Sequence, residues 1–436
     1  MKIAVVGSGV SGLVSAYLLQ RSHEVTVFEA APRVGGHVYT VQAKDTVQAK
    51  DTAQAEDQDG SSLPVDMGFI VYNERTYPNF TRLLSELDVA TEASCMSFSV
   101  RADAANLEYS GRSLGHLFSQ RRNLIRPSFY RMLAGIMRFN KLAPELLEGT
   151  SDQTLGEYLE SRGLGGNFVE HYLLPMTAAI WSTPPRRMLD FPARTMAAFL
   201  YNHGLLTVDD RPEWRVISGG SQRWVEALVS RLEGPVHTSA PVRSVRRLAE
   251  GGVELAVDGA AGQRFDAVVM ALHSDQALRC LADPSSAEEE VLGAIPYLEN
   301  RVSLHTDPGL MPRRRRAWAS WNYHLEPAET NEAPRLTYWM NRLQNHKTPT
   351  PFLVTLNSDD RLDPRTIQHG LAMAHPQFGA GSAKAKERWG EISRDRTFYC
   401  GAYWGFGFHE DGAASGVRVA EALGVSWGAG SGRHAA

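Results

Sequence analysis

The amino-terminal residues follow a hydrophobic pattern that changes period twice. Residues 2–6 (KIAVV) form a short apolar, β-branched run, as expected for a buried parallel strand. A helical pattern covers about Val10 to Arg21, and a second apolar strand covers 25–28 and ends at Glu29. The order strand, helix, strand predicts an α/β domain built on a parallel sheet.

Glycines occupy the turn between the first strand and the first helix. Gly7, Gly9 and Gly12 stand in the spacing G-x-G-x-x-G, and Glu29 follows Gly7 by 22 positions. Glycine permits the tight turn and the close approach of a pyrophosphate to the amides at the helix N-terminus. An acid at the end of the second strand accepts hydrogen bonds from ribose hydroxyls. The pattern predicts a dinucleotide site.

The remaining chain alternates strand-like and helix-like segments. Strands are predicted at 63–72, with Gly68 inside, at 265–271 and at 396–403. Helices are predicted at 78–88, 223–232 and 413–423, the last two after glycine-containing turns.

Composition, charge and cysteine content reduce the number of function classes that the chain could belong to. The 436 residues are 43% hydrophobic and 22% charged, as in ordinary globular proteins, and the formal net charge is −4. This charge gives no global reason to expect nucleic acid as a partner. Cys95, Cys280 and Cys400 are widely separated, so we expect neither disulfides nor a metal site, and a cytoplasmic location.

Residues 30–37 (AAPRVGGH) carry a resemblance to a known family. An arginine two residues before a glycine pair, just past Glu29, resembles the R-x-G-G signature of the flavin amine oxidase and phytoene desaturase superfamily. The resemblance implies non-covalent FAD, held by a Rossmann-like domain of the GR2 type with an interleaved α+β substrate domain. The cofactor-binding residues that pattern and resemblance together assign are Gly7, Ser8, Gly9, Val10, Ser11, Gly12, Glu29, Ala30, Arg33, Gly35, Gly36, His37, Met67, Gly68, Phe69, Ile70, Val242, Ala271, Gly401, Ala402, His409, Glu410, Asp411 and Gly412.

The carboxy-terminal segment departs from that superfamily at one position. Ala402 stands where an acid usually contacts the cofactor, so Glu410 or Asp411 is a candidate replacement. Asp411 is equally a candidate N-cap of the following helix. His409 and Glu410 are the candidate catalytic pair, because histidine titrates near neutrality and accepts a proton if desaturation needs a base.

Motifs along nearly the whole chain are similar to bacterial NAD/FAD-binding proteins associated with cyclopropane fatty acid synthase. They include 69–78, 179–184, 202–206, 318–323 and 401–412. This similarity implies a fatty acyl substrate and a role in lipid metabolism, and a lipid-modifying enzyme is a candidate partner.

A flavin oxidant removes hydride, so the protein mainly positions a C–H bond and excludes water. Aromatic and amide residues are suited to the wall of an apolar pocket, although each is equally suited to a core. The candidate pocket residues are Trp321, Asn322, Tyr338, Trp339, Asn341, Gln344, Tyr403 and Trp404.

Basic segments suggest a membrane contact. Residues 112–147 combine several arginines with apolar residues, which is typical of a substrate-domain helix or of a helix that lies on a membrane surface. Arg313–Arg316 is a charge run that indicates a solvated loop or a contact with lipid headgroups.

The predicted organisation is discontinuous. Residues 1–85, 215–275 and 395–424 are expected to form the FAD domain, and 86–214 with 276–394 the substrate domain. The tandem repeat at 41–58 predicts a surface hairpin or disordered loop without function, and 425–436 a flexible tail.

The leading hypothesis is an FAD-dependent oxidoreductase that desaturates or otherwise oxidises a fatty acyl or similarly apolar substrate. Oxidation of amines or amino acids, redox-neutral double-bond isomerisation, and a non-enzymatic flavoprotein partner of a lipid-modifying enzyme remain as alternatives.

Overall fold

A computed structural model describes residues 1–45, 62–149, 153–207, 211–259, 261–325 and 333–428. The predicted repeat loop at 41–58 and the tail at 425–436 fall largely outside these ranges. Val41 to Lys44 of the repeat lie in a strand, paired with Ser62–Asp66.

The strands form one parallel sheet, one large mixed sheet and three small sheets. In chain order they are β1 Lys2–Val6, β2 Glu24–Phe28, β3 Thr40–Lys44, β4 Ser62–Asp66, β5 Tyr72–Asn73, β6 Thr91–Ala93, β7 Phe98–Ala102, β8 Leu107–Ser110, β9 Trp214–Ile217, β10 Val236–His237, β11 Val242–Arg247, β12 Val253–Val257, β13 Gln263–Phe265, β14 Ala267–Met270, β15 Tyr297–His305, β16 Trp321–Leu325, β17 Leu336–Trp339, β18 Leu353–Leu356, β19 Ile367–Pro376 and β20 Thr397–Tyr399.

The α-helices flank these sheets. They are α1 Val10–Leu19, α2 Pro78–Glu86, α3 Leu114–Leu117, α4 Pro127–Leu142, α5 Glu145–Glu148, α6 Leu155–Ser161, α7 Leu174–Trp181, α8 Ala193–Asn202, α9 Gln222–Val229, α10 Ser274–Cys280, α11 Ser286–Gly293, α12 Met340–Leu343, α13 Ala380–Glu387, α14 Trp389–Ile392 and α15 His409–Ala422. Among the described residues, every helix is too short or too polar to cross a bilayer.

The parallel sheet has the strand order β10-β2-β1-β14-β20. Its central strand β1 pairs in register with β2 and β14, Ile3 lying between Val25 and Ala267. Ile3 and Val5 belong to one hydrophobic core, and Ala4 and Val6 belong to another on the opposite face. Both faces of the sheet are therefore covered, which explains the continuous apolar run of β1.

The larger sheet has seven strands in the order β19-β15-β18-β17-β16-β7-β8 and is mostly antiparallel, with β7 and β16 parallel. The helices between 127 and 202 bury their apolar faces in one core with parts of β7, β8 and β16. The arrangement confirms the predicted α/β class with a Rossmann-like sheet and an interleaved α+β unit. The domain boundaries stay predictions.

Two predicted elements differ from the structure. The strand predicted at 63–72 ends at Asp66, because the backbone then turns so that Phe69 donates to the carbonyl of His37 at 3.0 Å. The last helix begins at His409 rather than 413, because the carboxylate of Asp411 accepts from the Phe408 N–H at 2.8 Å. Asp411 therefore lies in the first turn and is not the N-cap.

Candidate cofactor and substrate site

The glycines after β1 serve two different purposes. A β-carbon at Gly7 would overlap the carbonyl oxygen of Ala271, and one at Gly12 would overlap the carbonyl oxygen of Gly7. These two positions therefore need glycine for packing. Gly9 is different, because a β-carbon there would have no described atom within 4 Å. The open position lies where helix α1 begins.

The amino terminus of α1 has the features of an anion site. Its N-cap is Gly9, and in the described structure its first turn has neither an acidic residue nor a side-chain cap. The first N–H groups of a helix lack intrahelical partners and attract negative charge. The start of α15 lies beside it, where a β-carbon at Gly412 would meet Val10. Two helix N-termini thus converge at one place.

Glu29 ends β2 beside this turn. Its carboxylate accepts from the Ser8 amide at 3.0 Å, the Ser8 hydroxyl at 2.5 Å and the Ala31 amide at 2.9 Å. The acid therefore joins the glycine turn to the following segment. A carboxylate has four lone-pair directions, so these three bonds leave one for a ribose hydroxyl.

The segment with the glycine pair folds over the glycine turn. Arg33 donates to the carbonyls of Val38 and Gly36, each at 2.9 Å, and lies 4.1 Å from the ring centroid of Tyr39. Burial lowers the pKa of Arg33. Gly35 and Gly36 have φ of 115° and 57°, which favours glycine at both positions. The guanidinium thus stabilises its own loop, a role that the sequence did not predict.

His37 lies in a half-buried group of three histidines. Its ring centroid is 5.6 Å from that of His273 and 5.5 Å from that of His375, and its Nε2 contacts the Ala374 carbonyl at 3.1 Å. Burial lowers the pKa of all three rings, to about 4 for His273 and about 3 for His375.

The other predicted cofactor residues occupy several places. Gly68 allows close approach of the His37 carbonyl, and Met67 and Ile70 lie in the core beneath the seven-stranded sheet. Val242 is buried at the start of β11, and Ala271 follows β14. The amide of Gly401 donates to the Ser415 hydroxyl at 2.9 Å, and Ala402 begins a short 3₁₀ turn.

A cavity of about 660 Å³ opens near the start of α15. It is lined by three chain segments that are distant in sequence, namely 75–78, 201–207 and 406–411. The segments coincide with three motifs of the sequence, but the sequence did not predict that they meet. A shared richness in tyrosine, phenylalanine and histidine is the feature that distinguishes them.

Glu410 and Asp411 line this cavity, but their carboxylates are directed to backbone donors. Glu410 accepts from the Asn79 amide at 3.2 Å, the Asn79 side chain at 2.6 Å and the Phe80 amide at 3.0 Å, so it caps helix α2. Burial raises the pKa of Glu410, and it raises the pKa of Asp411 to about 6. Lys386 lies near Asp411, and burial lowers the pKa of Lys386 to about 8.

His409 does not line the cavity. Its ring stacks on Phe69 at 3.5 Å between centroids and packs against the edges of Phe80 and Trp224. The side chain is half-buried with its Nε2 shielded from solvent, and burial holds the pKa of His409 well below its ordinary value. The predicted role of His409 as a base is therefore not supported by its position.

The predicted substrate-pocket residues do not form one pocket. Trp321 packs edge-on against Tyr338 at 5.0 Å, and Trp339 against Trp318 at 5.4 Å, within or beside the seven-stranded sheet. Tyr403 and Trp404 belong to a separate core beneath the parallel sheet.

The amides of this set bind protein groups. Asn322 accepts from Ser99 at 2.8 Å, Asn341 accepts from the Phe352 amide at 2.7 Å, and Gln344 donates to Asp66 at 3.0 Å. Burial raises the pKa of Asp66 to about 6, although Thr40 and Ser221 donate to its carboxylate. The predicted pocket residues thus lie in three structural clusters, because aromatic residues of alternating strands fill cores, and their role in substrate binding stays a prediction.

Comparison with known proteins decides the family. A family described as flavin containing amine oxidoreductase matches residues 10–367. The chain belongs to this family. Its glycine turn, helix N-termini and Glu29 fit an FAD cofactor. The predicted link to cyclopropane fatty acid synthase has no support among the relatives.

Curated relatives match only part of the chain. An L-amino-acid oxidase from Siganus canaliculatus is 24% identical over 269 residues, which is 57% of this chain and 45% of the relative. An L-amino-acid oxidase from Crotalus adamanteus is 49% identical over 45 residues, 10% of this chain and 9% of the relative. The chain thus spans less than half the length of these relatives.

Solved structures match over nearly the full length. A CLA-producing fatty acid isomerase from P. acnes has a TM-score of 0.67 at 15% identity, covering 96% of this chain and 98% of that one. A cyclohexylamine oxidase from Brevibacterium oxydans has a TM-score of 0.64 at 15% identity, covering 97% and 99%. Identities this low establish a shared fold.

Proposed function

We propose that this oxidoreductase takes a hydride from a fatty acyl or similarly apolar substrate, desaturating or otherwise oxidising it. The observation that carries the proposal is the cavity beside α15, whose wall includes the rings of Tyr77, Phe406 and Phe408 and two carboxylates that already accept hydrogen bonds. A wall of this kind suits an apolar substrate.

The aromatic part of the wall is held by packing behind it. The ring of Phe408 stacks on Phe199 at 5.0 Å, and Phe406 meets the same ring edge-on at 5.7 Å. Trp181 donates to the Phe406 carbonyl at 3.1 Å. These contacts hold the wall in place, which favours a preformed site.

The two carboxylates at the wall argue against a cationic substrate. Glu410 already accepts three hydrogen bonds, and Asp411 accepts from backbone amides and faces Lys386. An ammonium group entering the cavity would compete with these donors for the few remaining lone pairs. A neutral chain makes no such demand.

We propose His203, rather than His409, as the candidate proton acceptor. It lines the cavity, and its Nδ1 lies 2.9 Å from the Phe199 carbonyl, so Nδ1 carries the proton and Nε2 has the free lone pair. Burial lowers the pKa of His203 to about 4, which keeps this lone pair available at neutral pH. The bound FAD supplies the hydride acceptor.

Oxidation of an amine or amino acid is the second candidate. It is favoured by the curated relatives, which are L-amino-acid oxidases. Redox-neutral isomerisation of a fatty acyl double bond follows from the likeness to the fatty acid isomerase. A partnership with a lipid-modifying enzyme is compatible with each of these activities.

Anaerobic titration of the FAD-loaded protein separates the candidates. Bleaching of the flavin absorbance by fatty acyl compounds supports the proposal, and bleaching only by amines contradicts it. Isomerisation would convert the lipid without net consumption of oxidant.

A cavity variant tests whether this cavity holds the substrate. Thr207 is an exposed residue that lines the cavity, so a tryptophan at this position would occupy part of the cavity. Thr207→Trp should therefore raise the KM for the substrate about tenfold or more. Ser161→Trp places the same ring at an exposed position outside the cavity and should leave KM unchanged. Equal KM values for both variants would place the substrate elsewhere.

A further inference from the structure

Exposed apolar side chains are concentrated in one short part of the chain. Seven large apolar residues of the described structure are exposed, and five of them fall between Leu114 and Met137. The exposed fraction is 85% for Ile125, 77% for Leu114 and 60% for Met137. Such concentration marks an interaction surface rather than scattered surface residues.

The same part of the chain is strongly basic. Residues 111–144 contain seven lysines and arginines and no aspartate or glutamate, so they carry a formal charge of +7 in a chain whose net charge is −4. None of the salt bridges found among the described residues involves Arg121, Arg122 or Arg131. These cations have no carboxylate of the described chain to neutralise them.

Helix α4 shows how the two properties share a surface. Its exposed positions recur every three or four residues, which defines one face of the helix. This face consists of Pro127, Tyr130, Arg131, Ala134, Met137, Arg138 and Lys141. The opposite face is buried through Phe129, Met132 and Phe139. The solvent-facing side therefore mixes apolar residues with cations and has no acid.

The segment before α4 extends this surface. The Tyr130 hydroxyl donates to the Leu124 carbonyl at 2.9 Å, which ties the exposed pair Leu124 and Ile125 to the helix. Near Leu114, Gly115 lies against the guanidinium of Arg316. Arg316 and Arg112 both lower the pKa of His116, after the larger effect of its partial burial. Cations are thus clustered at this end as well.

We propose that the surface formed by 112–141 docks this protein on a membrane that contains anionic lipid. Arginine and lysine gain energy at a negatively charged leaflet, and exposed leucine, isoleucine and methionine gain energy by entering the boundary between headgroups and acyl chains. A second copy of the chain fits poorly, because two such surfaces repel each other. Phosphates of a nucleic acid would pair with the cations but leave the apolar side chains in water. The proposal stands independently of the substrate.

Vesicle flotation of the FAD-loaded protein tests the proposal. The protein should float with vesicles of phosphatidylcholine containing about one quarter phosphatidylglycerol, and should remain in solution with phosphatidylcholine alone. Raised salt should release it, because the attraction is screened. Equal binding to both vesicles, or no binding to either, overturns the proposal.

Variants assign the binding to this surface. Each cation near an anionic leaflet raises the equilibrium constant for vesicle binding about fivefold. Loss of two cations in Arg121→Glu/Arg122→Glu should therefore weaken binding about 25-fold or more. Ile125→Glu should also weaken vesicle binding, although it leaves every arginine and lysine of the surface in place. Arg246→Glu/Lys347→Glu makes the same change of charge on exposed residues outside this surface and should bind as the wild type does.

Two further measurements distinguish other occupants. All substituted positions are exposed, so unfolding curves of the variants should match the wild type, which removes misfolding as an explanation. If Arg121→Glu/Arg122→Glu retains full vesicle binding, the proposal is wrong. It is also wrong if the surface instead mediates a dimer detected by light scattering, or if duplex DNA is bound and vesicles are not.

Discussion

Gly9 and Gly12 provide a matched pair of substitutions in the cofactor turn. The same change, glycine to alanine, should affect folding at Gly12 and FAD binding at Gly9. At Gly12 the new β-carbon would overlap the backbone oxygen of Gly7, which no side-chain rotation relieves. Overpacking costs about 1–3 kcal/mol, and better helix propensity returns up to about 1 kcal/mol. Gly12→Ala should therefore destabilise the apoprotein by about 1–2 kcal/mol.

At Gly9 no described atom lies within 4 Å of the new β-carbon. The loss of glycine at an N-cap costs about 1 kcal/mol or less. A phosphate that approaches the helix N-terminus would meet the methyl group and lose one charge-assisted hydrogen bond, about 1.5–3 kcal/mol. Gly9→Ala should therefore bind FAD roughly 10- to 100-fold more weakly than the wild type.

Unfolding in urea with and without FAD measures both effects. At a concentration of 100 Kd, FAD should stabilise the wild type by about 2.7 kcal/mol, and Gly9→Ala by only about 0.4–1.4 kcal/mol. If Gly9→Ala binds FAD with wild-type affinity, the pyrophosphate does not approach at this position and the reasoning is refuted.

Two further predictions concern stability. Burial raises the pKa of Glu288, but donors from Ser285 and Tyr399 and the charge of Arg247 outweigh it and lower the pKa below the ordinary 4.5. The stability that ionised Glu288 contributes is therefore complete above pH 4.5 and is lost as the pH falls through the lower pKa of the folded protein. In urea unfolding, Glu288→Gln should lower the free energy of unfolding by about 1–3 kcal/mol at neutral pH. In acid the same variant should differ little from the wild type. Asp88 follows the C-cap of α2 and has a φ of 57°, a conformation that favours glycine. Asp88→Gly should therefore raise the free energy of unfolding by about 1 kcal/mol in thermal unfolding. The gain comes from relieved backbone strain and from removal of a negative charge at the helix end. Asp88→Asn separates the two contributions, and an unchanged midpoint in both variants would contradict the argument.

Local features of the sequence were sufficient to predict the cofactor-binding part of the fold. The glycine turn, the strands on either side of it and Glu29 lie within 28 consecutive positions, so their spacing alone predicts a dinucleotide fold. Short-range geometry is sufficient there, because a strand, a tight turn and a helix follow from neighbouring residues. The α/β class followed from the same segment, and the resemblance to the family followed from residues 30–37 directly after it.

Only the tertiary structure decided which residues form the cavity. Periodicity indicates which face of an element is buried, but not what it is buried against. For this reason Trp321 and Trp404 were predicted to share a pocket and instead lie in different cores. In the same way, Glu410 looked catalytic in sequence, yet it caps helix α2, whose residues are more than 300 positions away. Packing between distant segments, rather than local pattern, assigns such roles.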